Sequence, residues 1–198
     1  VRTIRAVKKL QPACERARAR VVRVRALDLH LLEWGSDAAP GLCFLHGGSA
    51  HAHWFDAVVA PFADRYHVVS LDQRGHGESA WASPPAYATA DFVGDLVGVL
   101  DALGWERTVL AGHSMGGHNA MACAAWHPER VRALVVIDSR PSIPEERMSF
   151  LRSRGERAAR RPFPSRDAAV SAFRLIPRET VADPALLEHL ATAGVVER

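Results

Sequence analysis

From about residue 19 the chain alternates short apolar runs with turns and with stretches of helical spacing. Val21 to Leu27 and Asp28 to Trp34 read as two strands of an antiparallel pair, and Gly35-Ser36-Asp37 turns the chain out. Gly41-Leu-Cys-Phe-Leu-His46 is a continuous apolar run ending in glycines, the pattern of a buried strand. Trp54 to Ala63 has helical spacing, and His67-Val-Val-Ser-Leu-Asp72 predicts the next strand. An irregular loop follows, then a helix from about Thr89 to Leu103 with Phe92, Leu96, Val99, Leu100 and Leu103 on one face. Thr108 to Ala111 predicts a strand, Met115 to Trp126 a helix and Val131 to Ile137 a strand. Strands alternating with helices imply parallel βαβ units, hence an α/β fold whose mostly parallel sheet is flanked by helices.

After Asp138 the pattern changes. Residues 140–198 hold no convincing strand and are rich in arginine and proline, which predicts short helices broken by loops. The expected organisation is a basic tail over 1–18, an α/β core over 19–139 and a helical cap over 140–198. Length and composition fit one ordinary globular domain: 198 residues, 48% hydrophobic and 24% charged. No apolar run nears the roughly 18 residues of a membrane span, and the N-terminus lacks the apolar stretch of a secretory signal. Cys14, Cys43 and Cys123 are far apart and form no C-x-x-C, so buried reduced thiols are expected, with a cytoplasmic location.

The net charge of +3 conceals an uneven layout. Residues 1–25 carry nine Lys/Arg and one Glu, whereas residues 26–139 carry five basic and thirteen acidic side chains. The basic segment has no interleaved aromatics and no binding motif beside it. It is read as a solvated tail rather than an amphipathic targeting helix or a nucleic-acid arm, and neither a nucleic acid nor a membrane is expected as partner.

The chemistry is concentrated in Gly112-His-Ser-Met-Gly116, which satisfies G-x-S-x-G between a predicted strand and a predicted helix. A serine hydroxyl is a weak nucleophile until a base takes its proton, so it has to stand exposed on a sharp turn. The turn is crowded, so the positions two before and two after Ser114 need to lack a bulky side chain. The helix beginning there points free N–H groups at developing negative charge. His46-Gly-Gly48 ends an earlier buried strand, and Asp72-Gln-Arg-Gly-His-Gly-Glu-Ser79 follows the next one. His51 and His53 form an H-x-H with no third ligand visible in the sequence, so no metal site is expected and packing or lining of the pocket mouth is. His113 and His118 flank Ser114, and both are read as packing residues.

These three segments, in this order and at this spacing, resemble the α/β-hydrolase family of the serine-esterase kind over roughly residues 20–198. The resemblance implies Ser114 as nucleophile and the N–H groups of Gly48 and Met115 as oxyanion donors. It implies no cofactor, a small ester-like substrate, and structural roles for Asp72 and Arg74. Serine rather than aspartate at the nucleophile disfavours the epoxide hydrolases and haloalkane dehalogenases of the same fold. A perhydrolase, an amidase and a carbon–carbon bond hydrolase share the elbow and stay open.

The chain order of such a triad is Ser, acid, His. Asp138, at the carboxyl end of a predicted parallel strand, is the candidate acid. Beyond it stands only His189, in the amphipathic stretch Leu186-Leu-Glu-His-Leu190 with no strand before it, which suits a cap helix better than a base. The resemblance therefore leads us to expect two further strand–helix units, carrying the histidine, beyond residue 198; the initial Val is a first hint in the same direction. Val131 to Ile137 would then be a bare edge through which the chain self-associates. The rival expectation is a hydrolase-fold module that binds a ligand or partner without turnover.

Overall fold

The computed structural model describes residues 17–142, 149, 163–175 and 179–195; the predicted tail with Cys14, and much of the predicted cap, lie outside the described residues. β1 (Arg18–Val24) and β2 (Leu27–Trp34) form the expected antiparallel pair, joined by Arg25-Ala26 with Arg25 at φ 53°. β1 begins at Arg18, one residue inside the stretch read as tail. A two-residue connection permits antiparallel pairing alone, because parallel neighbours need a crossover of a dozen residues or more.

Four parallel strands make the rest of the sheet: β3 (Gly41–Leu45), β4 (His67–Leu71), β5 (Thr108–His113) and β6 (Val131–Ile137). The order across the sheet is β1-β2-β4-β3-β5-β6, with β2 antiparallel to β4. A 3-10 turn (Ala52–Phe55) leads into α1 (Asp56–Ala63), and α2 (Thr89–Ala102) and α3 (Met115–Trp126) follow their strands. Among the described residues beyond 140 are two short helices, α4 (Arg166–Ala172) and α5 (Pro184–Ala193), and no strand.

Burial on both faces explains why the central strands read as continuous apolar runs. In β3, Leu42 and Phe44 join Trp34, Phe55, Val59 and Val68 on the α1 side, whereas Cys43 and Leu45 join Val69, Leu71 and Leu110 on the α2–α3 side. The buried face of α2 is Val93, Leu96, Val99 and Leu100. Phe92, placed on that face by its spacing, is instead half-buried and its ring stacks near Tyr87 at 6.3 Å. One residue turns a helix by 100°, so Val93 takes the inward position three before Leu96 and Phe92 swings toward the loop. Cys43 and Cys123 are buried free thiols, and burial pushes them up to about 12 and about 11 respectively.

No helix among the described residues is long and apolar enough to cross a membrane. β6 pairs with β5 on one side and, among the described residues, with nothing on the other. Its Val135 is 48% exposed, and Leu134, Val136 and Ile137 are exposed too. Unpaired backbone flanked by apolar side chains is a template for strand addition. The 198-residue chain is therefore expected to run above its monomer mass in multi-angle light scattering, and Val135→Lys with Ile137→Lys to shift it toward monomer. A monodisperse wild-type monomer would contradict this.

Candidate active site

Ser114 stands between β5 and α3 at φ 50°, ψ −114°, a left-handed conformation that side chains rarely adopt. The glycines around it are sterically compelled. A Cβ on Gly112 would come within 2.4 Å of the Gly116 carbonyl oxygen, and one on Gly116 within 2.2 Å of the Leu45 carbonyl oxygen. The first turn of α3 thus presses directly on the ends of β3 and β5. Ser114 is exposed, and its hydroxyl does not cap the helix it precedes. Serine in that position ordinarily spends its oxygen on an N2 or N3 amide; here the strained backbone leaves Oγ available to a substrate.

The glycine loop after β3 arrives where the sequence requires it. A Cβ on Gly47 would lie 3.3 Å from the Ser114 Cβ, and one on Gly48 would lie 4.0 Å from the Met115 sulfur. Gly48 is exposed, and the Met115 N–H, first in α3, belongs to the amides that no preceding helical turn engages. Gly47 and the first amide of α3 therefore both lie beside Ser114.

A buried polar cluster fixes that loop, and no local sequence pattern announces it. The His46 ring donates from Nδ1 to the Gly47 carbonyl at 2.7 Å and accepts the Gln73 N–H on Nε2 at 3.1 Å. The Gln73 side chain donates to the His46 carbonyl at 2.8 Å and accepts from Asn119 on α3 at 2.8 Å. Burial, then the neighbouring His76, push His46 down to about 3, so it is neutral with both nitrogens engaged and cannot serve as a base. Gln73 and Asn119 lie 46 residues apart, a separation no local pattern reveals.

Asp72 and Arg74 are buried within the fold. Asp72 accepts from His30 at 2.9 Å and Glu78 N–H at 3.1 Å on one oxygen, and from Ala52 N–H at 2.6 Å on the other. Burial raises its pKa, but these hydrogen bonds outweigh that and hold it below its ordinary value. Arg74 makes a two-pronged pair with Asp95 of α2, both contacts at 2.6 Å, and donates to the Ala86 carbonyl at 2.7 Å. Together they tie the loop after β4 to β2, to the 3-10 turn and to α2.

Asp138 is exposed at the end of β6, at φ 45°. Its neighbours are bonded to Ser114: the Ser114 N–H donates to the Ile137 carbonyl at 3.0 Å, and the Ser139 hydroxyl donates to the Ser114 carbonyl at 2.7 Å. All ten histidines are described; the His118 N–H donates to the Ser114 carbonyl at 3.0 Å, but no histidine ring is hydrogen-bonded to the Ser114 hydroxyl. His118 Nε2 approaches Thr89 of α2 at 3.4 Å, and His113 lies against Gly47. His189, on the expected helix, bonds Asp56 at 2.8 Å, and His53 bonds the same oxygen at 2.7 Å. The fold thus gathers three potential ligands where the sequence showed only H-x-H, because Asp56 is one helical turn from His53 and His189 arrives from a distant helix.

A family model described as alpha/beta hydrolase fold matches residues 40–167. The 2-(acetamidomethylene)succinate hydrolase of Mesorhizobium japonicum is 32% identical over 136 residues, 69% of this chain and 48% of that protein. Esterase Rv0045c of Mycobacterium tuberculosis is 36% identical over 122 residues, 62% of this chain and 40% of its own. The crystal structure of E-2-(acetamidomethylene)succinate hydrolase superposes with a TM-score of 0.78 at 29% identity, covering 90% of this chain and 64% of that one. The chain spans less than half the length of both curated relatives.

Gly116→Ala should destabilise the chain by at least about 3 kcal/mol in urea unfolding, because its methyl group meets backbone that cannot move aside. Asp72→Asn should cost about 3 kcal/mol, since an amide NH2 would face an N–H donor whichever way it turns. A depressed carboxyl pKa contributes stability above the unfolded value and loses it as pH falls through the folded one. Wild-type stability should therefore drop on acidification from about pH 4 downward, and the Asn variant should show a shallower loss over that range.

Proposed function

Because the chain belongs to the α/β-hydrolase fold family, we propose that Ser114 is the nucleophile of an acyl-transfer hydrolase acting on small carboxylic esters. The observation that carries this reading is the exposed, uncapped Ser114 hydroxyl on a turn that only glycines at 112 and 116 permit. Ser114 Oγ attacks the acyl carbon while a histidine takes its proton. The carbonyl oxygen becomes an oxyanion held by the Gly48 and Met115 amides. Collapse expels the alcohol, which takes the proton from the histidine. Water, deprotonated by the same base, then attacks the acyl-enzyme, releases the acid and restores Ser114. Asp138 orients the histidine, in keeping with its place at the end of β6 and its left-handed backbone beside residues bonded to the nucleophile. An amide substrate fits the same steps, with an amine leaving, and the name of the Mesorhizobium relative favours that variant.

No histidine ring is hydrogen-bonded to the Ser114 hydroxyl, and the chain spans less than half of its curated relatives, so this reading takes the base from protein beyond residues 1–198. That same observation favours a second reading, a hydrolase-fold module that binds without turnover. A fluorophosphonate probe separates them. Protein purified from its native source should label at Ser114 and hydrolyse p-nitrophenyl esters, and Ser114→Ala should abolish both. The 198-residue polypeptide alone should label at least roughly 10⁴-fold more slowly. An unlabelled native protein would favour the binding module, and ester turnover surviving Ser114→Ala would refute the nucleophile. Full-speed labelling of the short chain would place the base among its own histidines.

A further inference from the structure

The cluster of His53, Asp56 and His189 lies apart from the groups assigned to acyl transfer. His53 Nδ1 and His189 Nε2 both point at one oxygen, Asp56 Oδ2, at 2.7 and 2.8 Å. The three ligand atoms all lie within 4.8 Å of one another, and the two imidazole planes cross at 84°. The Asp56 side chain is 0% exposed, whereas those of His53 and His189 are 24% and 20% exposed. The site is therefore rooted in the interior and open at its rim.

The carboxylate is incompletely matched. Its second oxygen, Oδ1, is buried and has no hydrogen-bond partner, and no lysine or arginine among the described residues pairs with Asp56. Its place in the first turn of α1 lends some favourable dipole field, and both imidazoles hydrogen-bond Oδ2 alone, leaving Oδ1 unmatched. A buried carboxylate in that position calls for a positive partner. His51, beside the cluster, does not join it: its Nε2 donates to the Leu190 carbonyl at 3.0 Å. That bond anchors the α5 backbone next to His189 and presets the approach of the third ligand.

We propose that His53, Asp56 and His189 form a three-ligand site for a divalent transition metal of the zinc class, clamping α5 onto the loop that follows Gly47-Gly48. Two imidazoles and one carboxylate, with a fourth position left to water, is a donor set that zinc and its neighbours accept. Ligand bonds of about 2.0–2.2 Å in a tetrahedron set donor atoms roughly 3.3 Å apart. The two nitrogen–oxygen separations would open by roughly 0.5 Å, which rotation of two half-buried side chains supplies. The inference does not depend on Ser114 chemistry, because none of the three ligands is assigned to it.

The test uses the 198-residue chain without a polyhistidine tag, stripped with chelator and titrated with Zn²⁺ by calorimetry and with Co²⁺ by visible absorption. One equivalent should bind, Co²⁺ should give the intense bands of a tetrahedral site, and Zn²⁺ should raise Tm. His53→Ala and His189→Gln should each weaken binding by more than the roughly 10–100-fold that loss of an outer-shell partner costs, and remove the Tm shift. His189→Gln can still donate a hydrogen bond toward Asp56, so an unchanged circular dichroism spectrum separates a lost ligand from a lost fold. His127→Ala, a half-exposed histidine elsewhere, should bind as wild type does. Absence of one-to-one binding by folded wild type, or binding undiminished in both ligand variants, would overturn the proposal.

Discussion

Backbone-to-backbone contact between the start of α3 and the ends of β3 and β5 sets the geometry of everything near Ser114. Wherever a Cβ would intrude, at Gly112 or Gly116, it would meet carbonyl groups rather than side chains. Backbone cannot rotate away as a side-chain tip can, so this contact admits a single residue type. In exchange for a strained φ at Ser114, the helix end, the Gly47-Gly48 loop and the Ser114 side chain share one small volume. The first turn of α3 then offers its unpaired amides beside the exposed Ser114.

Much of this was legible in the sequence, and for identifiable reasons. Strands buried on both faces read as unbroken apolar runs, which makes β3 and β4 legible almost to their ends; β6 carries the same apolar pattern although most of it is exposed here. The elbow was legible because its constraint is local: five consecutive residues contain the serine and both glycines. The α2 face was one residue out at Phe92, since Phe92 and Val93 are both apolar and only packing against β1 decides between them. What stayed hidden is long-range polar pairing. Gln73 with Asn119, Arg74 with Asp95 and Asp56 with His189 each join side chains more than 20 residues apart. Hydrophobic periodicity carries no record of which buried polar group meets which.

Those polar pairs give the site its stiffness. Neutral His46 locks the turn into Gly47 and Gly48 from beneath, and Gln73 carries the same restraint to Asn119 on α3, the helix that Ser114 precedes. The Gly47-Gly48 loop and α3 are thus referenced to each other through side chains as well as through the glycine contact. Each member is buried with its partner in reach, the condition under which a polar network rigidifies a fold rather than weakening it. The arrangement also accounts for two histidines close to Ser114: His46 bonds the Gly47 carbonyl and His113 packs against Gly47, so both shape the glycine loop.

The segment from Gly47 to Asp56 links three parts of the molecule that have no other reason to move together. Its beginning lies against Ser114. Its middle is pinned at Ala52, whose N–H donates to Asp72 at 2.6 Å and whose carbonyl accepts from Ser70 at 2.7 Å. Its end holds α5 through His51, His53 and Asp56. Ala52 is held by two buried side chains, one from β4 and one from the residue after it. His51, on the Gly48 side of that fixed point, bonds the Leu190 carbonyl directly, whereas His53 and Asp56 meet α5 on its far side. The position of α5 is therefore coupled to the glycine loop beside Ser114 through one hydrogen bond of His51, while its remaining contacts bear on a segment that Ala52 anchors.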